Sequence, residues 1–111
     1  LSKDERMTLE TAKSIREDFL HQNAFHEIDT YASMDKQFKM LRIILDFHHK
    51  GLEALQKGAA LKDVFGLPIR EEITRMRYTS EENLEAIDAI SQTIATQMAS
   101  LTLAGGESDV A

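Results

Sequence analysis

Few residues in this chain could do chemistry, and their spacing argues mostly against it. The four histidines fall at positions 21, 26, 48 and 49. His48 and His49 are adjacent, so on a helix they point about 100° apart and cannot chelate one ion together. His49 and Glu53 lie four apart on one helical face, a spacing open to a metal, but a surface hydrogen bond is the preferred reading. His48 reads as a core or boundary residue, and His21 and His26 as structural residues flanking an irregular stretch. The pairs Glu71/Glu72 and Glu81/Glu82 stand at helix starts, where they favour the positive end of the helix dipole and imply no acid–base catalysis. There is no P-loop, no GxGxxG and no HExxH. Serine, histidine and aspartate all occur, but without the spacing of a triad. Neither a catalytic residue nor a metal site is expected.

The bulk composition bounds what can position these residues. A chain of 111 residues, 42% apolar and 29% charged, fits one globular domain with a real core. There is no Cys, which excludes disulfides and thiolate metal sites and fits an intracellular protein. No apolar run reaches the roughly 18 residues of a membrane span. The opening LSKDERM lacks the basic-then-apolar order of a signal peptide. A net charge of -6 argues against nucleic acid, whose phosphates would be repelled. No Lys or Arg follows Arg77, while residues 36–77 are net basic, so an acidic last helix is expected to lie beside basic neighbours. Leu1 sits one position before a helix cap, and both ends are expected to be cuts within a longer protein.

Periodicity then assigns the elements. Ser2, with Glu5 three positions on, forms a capping box worth about 1 kcal/mol, and Met7, Leu9, Ala12, Ile15 and Phe19 make a helical stripe to about Leu20. Residues 21–32, HQNAFHEIDTYA, break that period and read as an ordered loop held by aromatic residues, the first place to look for function. Ser33 caps a second helix over 34–57, with the stripe Met34, Phe38, Leu41, Leu45, His48, Leu52 and Leu55, widened by Ile44 and Phe47. That helix would span about 35 Å, the length of the domain, at about 1.5 Å per residue. Gly51 inside it is explicable if another backbone approaches closely, and Gly58 is a natural stop. A short helix over 60–65 ends at Gly66, and Pro68 opens another to about Arg77, with Ile69, Ile73 and Met76 inward. Ser80 caps the last helix, with Leu84, Ile87, Ile90, Ile94, Met98 and Leu101 as its stripe. The five methionines read as core filling. The fold class is all-α: an antiparallel helical bundle of about four main helices and one short extra helix over residues 1–104, with residues 105–111 a flexible tail.

The stretch LSKDERMTLETAKSIREDFLHQNAFHEIDTYASMDKQFKMLRIIL resembles the C-terminal domain of the catalytic alpha subunit of archaeal and bacterial A/V-type ATP synthases. REDFLHQNAFHEIDTY is its most specific part, and LPIREEITRMRY with the following EEN also fits. The resemblance covers residues 1 to about 85. More distantly, residues 1–25 resemble the same region of the F-type ATP synthase beta subunit. LSKDERM stands where that family has the acidic DELSEED motif, and FLHQNAF where it has FLSQPF. Lys3 and Arg6 make the first motif mixed in charge, and the second segment is one residue longer, so neither a purely acidic rotor contact nor the geometry at Asn23 carries over.

The resemblance implies a lever in a rotary machine that couples ATP synthesis or hydrolysis to proton or sodium transport. Leu1, Ser2, Lys3, Asp4, Glu5, Arg6 and Met7 would belong to the end facing the central rotor stalk. Gln22, Ala24 and Phe25 would complete the adenine pocket of the parent protein. The chemistry agrees: Phe25 offers a ring face to a flat base, Ala24 leaves room, and the Gln22 amide can meet a ring nitrogen. The phosphate-binding loop, catalytic glutamate and neighbouring arginine would lie outside this chain. ATP or ADP with Mg would therefore bind the parent and not the isolated fragment. The implied partners are the rest of the catalytic alpha subunit, neighbouring B subunits and the stalk, with no nucleic acid and no direct membrane insertion. The implied location is cytoplasmic, peripheral to the cell membrane. The alternatives are a free-standing helical adaptor, which should have a complete polar surface instead of an exposed apolar docking patch, and a small metal-dependent enzyme.

Overall fold

The computed structural model describes residues 1–20 and 32–110, with backbone alone at Leu20 and residues 103–110. Every regular element in it is helical. α1 (Lys3–Ser14) starts on the capping box as expected: the Glu5 amide donates to Ser2 Oγ and the Ser2 amide to Glu5 Oε1, both at 3.1 Å. It continues as a wider π-helical stretch, Ile15–Leu20. α2 (Met34–Gln56) starts at Ser33, whose Oγ accepts the Lys36 amide at 3.0 Å. Its end is fixed by Gly58 at φ 104°, a left-handed position that glycine occupies without a Cβ penalty. The Gly58 amide then reaches Leu55 O at 3.1 Å and the Ala59 amide Ala54 O at 2.9 Å, the two bonds of a Schellman cap.

α3 (Leu61–Phe65) and α4 (Ile69–Arg75) follow, and α4 tightens into a 3₁₀ turn, Met76–Tyr78. Ser80 accepts the Glu82 amide at 3.2 Å and so caps a separate 3₁₀ turn, Glu81–Asn83, ahead of α5 (Glu85–Val110). The backbone is helical through Val110, past the boundary set at Gly105. At about 1.5 Å per residue α2 is about 35 Å long. The molecule extends 52 Å, so α2 does not span it.

The four main helices alternate in direction. Met7 packs at Gly51 and Thr11 at His48, which makes α1 antiparallel to α2. Lys36 meets the end of α4, while Gly51 lies beside Val64 before its start, so α4 also opposes α2. α2 and α5 consequently run parallel, joined by Lys39–Asp88 at 2.6 Å and by Ser91 Oγ donating to Asp46 at 3.0 Å, and they share the most extensive packing. The first of these is the acidic last helix meeting a basic neighbour. Between the helices lies one core that includes Met7, Met40, Ile43, Ile44, Phe47, Val64, Ile69, Ile73, Met76, Ile87, Ile94 and Met98.

Two stripes differ from the periodicity. On α2 the buried face is Lys36, Met40, Ile43, Ile44, Phe47, Gly51, Ala54 and Leu55. That face lies about a third of a turn round from the expected one, at about 100° per residue. Met34 is 80% and Phe38 67% exposed, and Leu45 is also exposed, so Met34 is not core filling although the other four methionines are. On α1, Leu9 is exposed and Ala12 faces solvent. The reason on α2 is that its apolar residues cover two faces, and small Gly51 and Ala54 mark the one on which neighbours come closest. What approaches Gly51 is a side chain: a Cβ there would stand 2.5 Å from Met7 Cε.

Candidate functional site

The rotor-facing set named from the sequence divides at its last member. Leu1, Ser2, Lys3, Asp4, Glu5 and Arg6 are exposed, whereas Met7 is 1% exposed and plugs the notch at Gly51. Burial there pins the second turn of α1 to the last third of α2. The Ser2 amide and hydroxyl, by hydrogen bonding, hold the Glu5 carboxyl below its ordinary range. A turn further on, His48 Nδ1 lies 2.6 Å from Thr11 Oγ1, and burial followed by the neighbouring His49 lowers its pKa. The Thr11 hydroxyl has one proton; donating it to Met7 O at 3.0 Å requires Nδ1–H of His48 to be the other donor. His48 is thus a boundary residue joining α1 to α2. His49 is exposed.

Gln22, Ala24 and Phe25, with His21 and His26, lie outside the described residues. Their flanks are described, and both are tied to one short segment, residues 77–81. On the entry side, Arg77 Nη1 donates to the backbone carbonyl of Glu17, within the π-helical stretch, at 3.2 Å. Arg77 Nη2 donates to the Tyr78 hydroxyl at 2.9 Å, and its guanidinium lies over that ring at 5.0 Å. On the exit side, the Ser33 amide donates to Glu81 Oε2 at 3.2 Å, and hydrogen bonding from the Ser33 hydroxyl, then from its amide, lowers the Glu81 pKa. Lys36, only 2% exposed, sends Nζ to the carbonyls of Arg77 and Thr79, each at 2.7 Å. The sequence reading named Arg77, Ser80 and Glu81 only as helix ends and within the resemblance, and did not show that this segment ties the two flanks together. Its one signal was a lysine four residues before Met40, on what proves to be the buried face of α2.

The LPIREEITRMRY segment, quoted for its resemblance, also joins elements. Arg70 donates to Glu10 on α1 at 3.1 Å and to the Phe65 carbonyl on α3 at 3.2 Å. The Ile69 amide, at the start of α4 where Pro68 offers no side-chain cap, donates to Gln97 Oε1 on α5 at 3.0 Å. Among the described residues, no three His, Asp or Glu side chains gather as a metal site would need, and no helix is long and apolar enough to cross a membrane. The chain's polar side chains link helices to one another, and its sequence has no phosphate-gripping glycine loop.

The arrangement is that of a helical domain with an exposed, capped end and a braced base. The family described as the C-terminal domain of V and A type ATP synthase matches residues 1–65, and the chain belongs to it. It is 55% identical to the V-type ATP synthase alpha chain of Acetivibrio thermocellus over 86 residues, 78% of this chain and 15% of that protein. It is 49% identical over 106 residues to the V-type ATP synthase alpha chain of Clostridium botulinum strain Hall, 96% of this chain and 18% of that protein. The Thermoanaerobacter V-type ATP synthase alpha chain is 47% identical over 109 residues, 98% of this chain and 18% of that protein. The chain therefore spans less than a fifth of the length of these relatives.

Proposed function

We propose that this chain serves as the C-terminal lever of a catalytic alpha subunit in a rotary A/V-type ATP synthase, and supplies one wall of its adenine pocket. The observation that carries the reading is the family match over residues 1–65, which includes both LSKDERM and HQNAF. In this role the stalk bears on Leu1, Ser2, Lys3, Asp4, Glu5 and Arg6, and Met7 transmits the push into the core. Phe25 stacks on adenine, with Gln22 and Ala24 beside it. The chain lacks a glycine-rich phosphate loop, so Mg-nucleotide is gripped by the rest of the alpha subunit and only the base is met here. Partners are the remainder of that subunit, neighbouring B subunits and the central stalk, in a head peripheral to the cell membrane on the cytoplasmic side. Residues 105–111 serve as a tail beyond the bundle.

The exposed row of Met34, Phe38 and Leu45 on α2 favours this reading over a free-standing adaptor with a complete polar surface. Stacking a base on one ring is worth about 1–3 kcal/mol, so Phe25→Ala in the full-length subunit should weaken ATP binding by about one to two powers of ten. Steady-state kinetics should show this as a raised KM for ATP with kcat nearly unchanged. An unchanged KM with a lowered melting temperature would make Phe25 a loop anchor instead.

A further inference from the structure

On α1, Leu9 is 56% exposed and Ala12 faces solvent, although both belong to the apolar spacing that begins at Met7. With the half-buried Leu61 and Phe65 of α3 they floor a groove of about 610 Å³ along the side of α1. Four exposed cations line it, Arg6, Lys13, Arg16 and Lys62, against one carboxylate, Glu10. That carboxylate is already paired, since Arg70 donates to it at 3.1 Å. The same guanidinium donates to the Phe65 carbonyl at 3.2 Å and lies over the Phe65 ring at 5.3 Å. Arg70 thereby ties the two walls of the groove, α1 and α3, and neutralises its acid. Among the described residues, no ion pair engages any of the four cations. In a chain of net charge -6, this groove has the opposite sign.

We infer that the groove seats an acidic amphipathic helix from another polypeptide chain. The helix lays its apolar face on Leu9, Ala12, Leu61 and Phe65, and its flanking Asp or Glu side chains reach the four cations. Length selects the occupant. Arg6 to Arg16 spans about 15 Å at about 1.5 Å per residue, so one small anion cannot meet both ends. Charge selects it too: a nucleic acid or an anionic membrane would meet the whole chain's negative charge, whereas one helix meets only the groove. The chain's own acidic helix is engaged elsewhere, through Asp88 to Lys39 on α2 at 2.6 Å. The groove flanks α1 below its tip, and so adds a surface to the exposed end at residues 1–5. The inference rests on the proposed lever role, because a neighbouring subunit must supply the helix, and it is independent of any contact with adenine.

The test is zero-length carbodiimide coupling on the full-length subunit in its assembled complex, read by peptide mass spectrometry. Carbodiimide joins a lysine amine only to a carboxylate in contact with it. Lys13 and Lys62 should couple to Asp or Glu residues on one helical face of another chain. Lys39 and Asp88, in contact within the chain, should couple in every sample and verify the chemistry. Leu9→Gln, at an exposed position that the fold tolerates, removes apolar floor without adding a carboxylate. It should cut coupling at both lysines about tenfold, the scale of one buried leucine side chain. Coupling that Leu9→Gln leaves unchanged overturns the apolar seat. An intact complex without coupling, its two lysines acetylated as readily as in the free subunit, overturns the inference and leaves the lever reading untouched. Coupling only to a second copy of this chain also overturns it, as does protection from acetylation with no protein carboxylate attached, the mark of a lipid or nucleic acid. A full-length subunit recovered with no partner chain sinks the lever reading and this inference together.

Discussion

At the scale of the residue, Met7 and Gly51 show how one contact can fix a helix pair. A β-carbon at position 51 would stand 2.5 Å from Met7 Cε and 3.2 Å from its Sδ. Two effects of Gly51→Ala oppose each other. Replacing a helical glycine by alanine gains about 1 kcal/mol of propensity, whereas overpacking a core costs about 1–3 kcal/mol. The thioether end is flexible, but Met7 is only 1% exposed and its core neighbours must yield with it, so the steric cost should win. Gly51→Ala is expected to lower the unfolding free energy by up to about 2 kcal/mol, the difference of those two ranges. With Met7→Leu in place, which removes Cε, the same change should become neutral or stabilising. A chemical-denaturation double-mutant cycle measures this directly, and additive effects would show that the two side chains do not share the notch.

The scale of the element concerns the exposed end of α1. In the proposed lever role, a shaft that slides past several copies of this domain cannot be keyed to one of them by strong ion pairs. Exposed pairs are worth only about 0–1 kcal/mol, which suits a contact repeatedly made and broken. The structure adds a mechanical reason: α1 is anchored from behind by Met7, by Thr11 on His48 and by Glu10 on Arg70, so its tip is stiff whatever charges it bears. Replacing Lys3, Asp4, Glu5 and Arg6 together with Ala should therefore leave most ATP-driven rotation in the full complex, scored by single-molecule torque. The expected loss is the Glu5 half of the capping box. If single charge reversals there abolished torque, charge recognition would be the better account. Met7→Ala, by contrast, loosens the anchor and should reduce torque more than the four surface changes combined.

For the whole molecule, one core and capped helix starts at Ser2 and Ser33 predict that the isolated chain folds. Circular dichroism should give a helix-dominated spectrum with a cooperative melt; a non-cooperative melt would contradict the single core. The same chain should not bind ATP measurably below millimolar concentration. Millimolar affinity already needs about 4 kcal/mol, and one stacked ring supplies about 1–3 kcal/mol. Calorimetry on the isolated chain should be flat, and a micromolar isotherm would mean that it holds a phosphate grip its sequence does not display.

Helix starts and stops were legible in the sequence because they are local. Ser2 with Glu5, Ser33, and Gly58 act on amides or carbonyls within a few residues, and each stands where the pattern put it. Family membership was legible for a similar reason, being carried by contiguous stretches such as REDFLHQNAFHEIDTY. The orientation of α2 was not, since its apolar residues cover two faces and periodicity cannot rank them. Contact with Met7 and Val64 at Gly51 decided which face turned inward and left Met34 and Phe38 outside. Nor could the sequence show that Gln97 caps α4, or that Lys36 spans to Arg77 and Thr79. Those bonds join residues 28, 41 and 43 positions apart, and a side chain's partner at such range depends on how the helices pack.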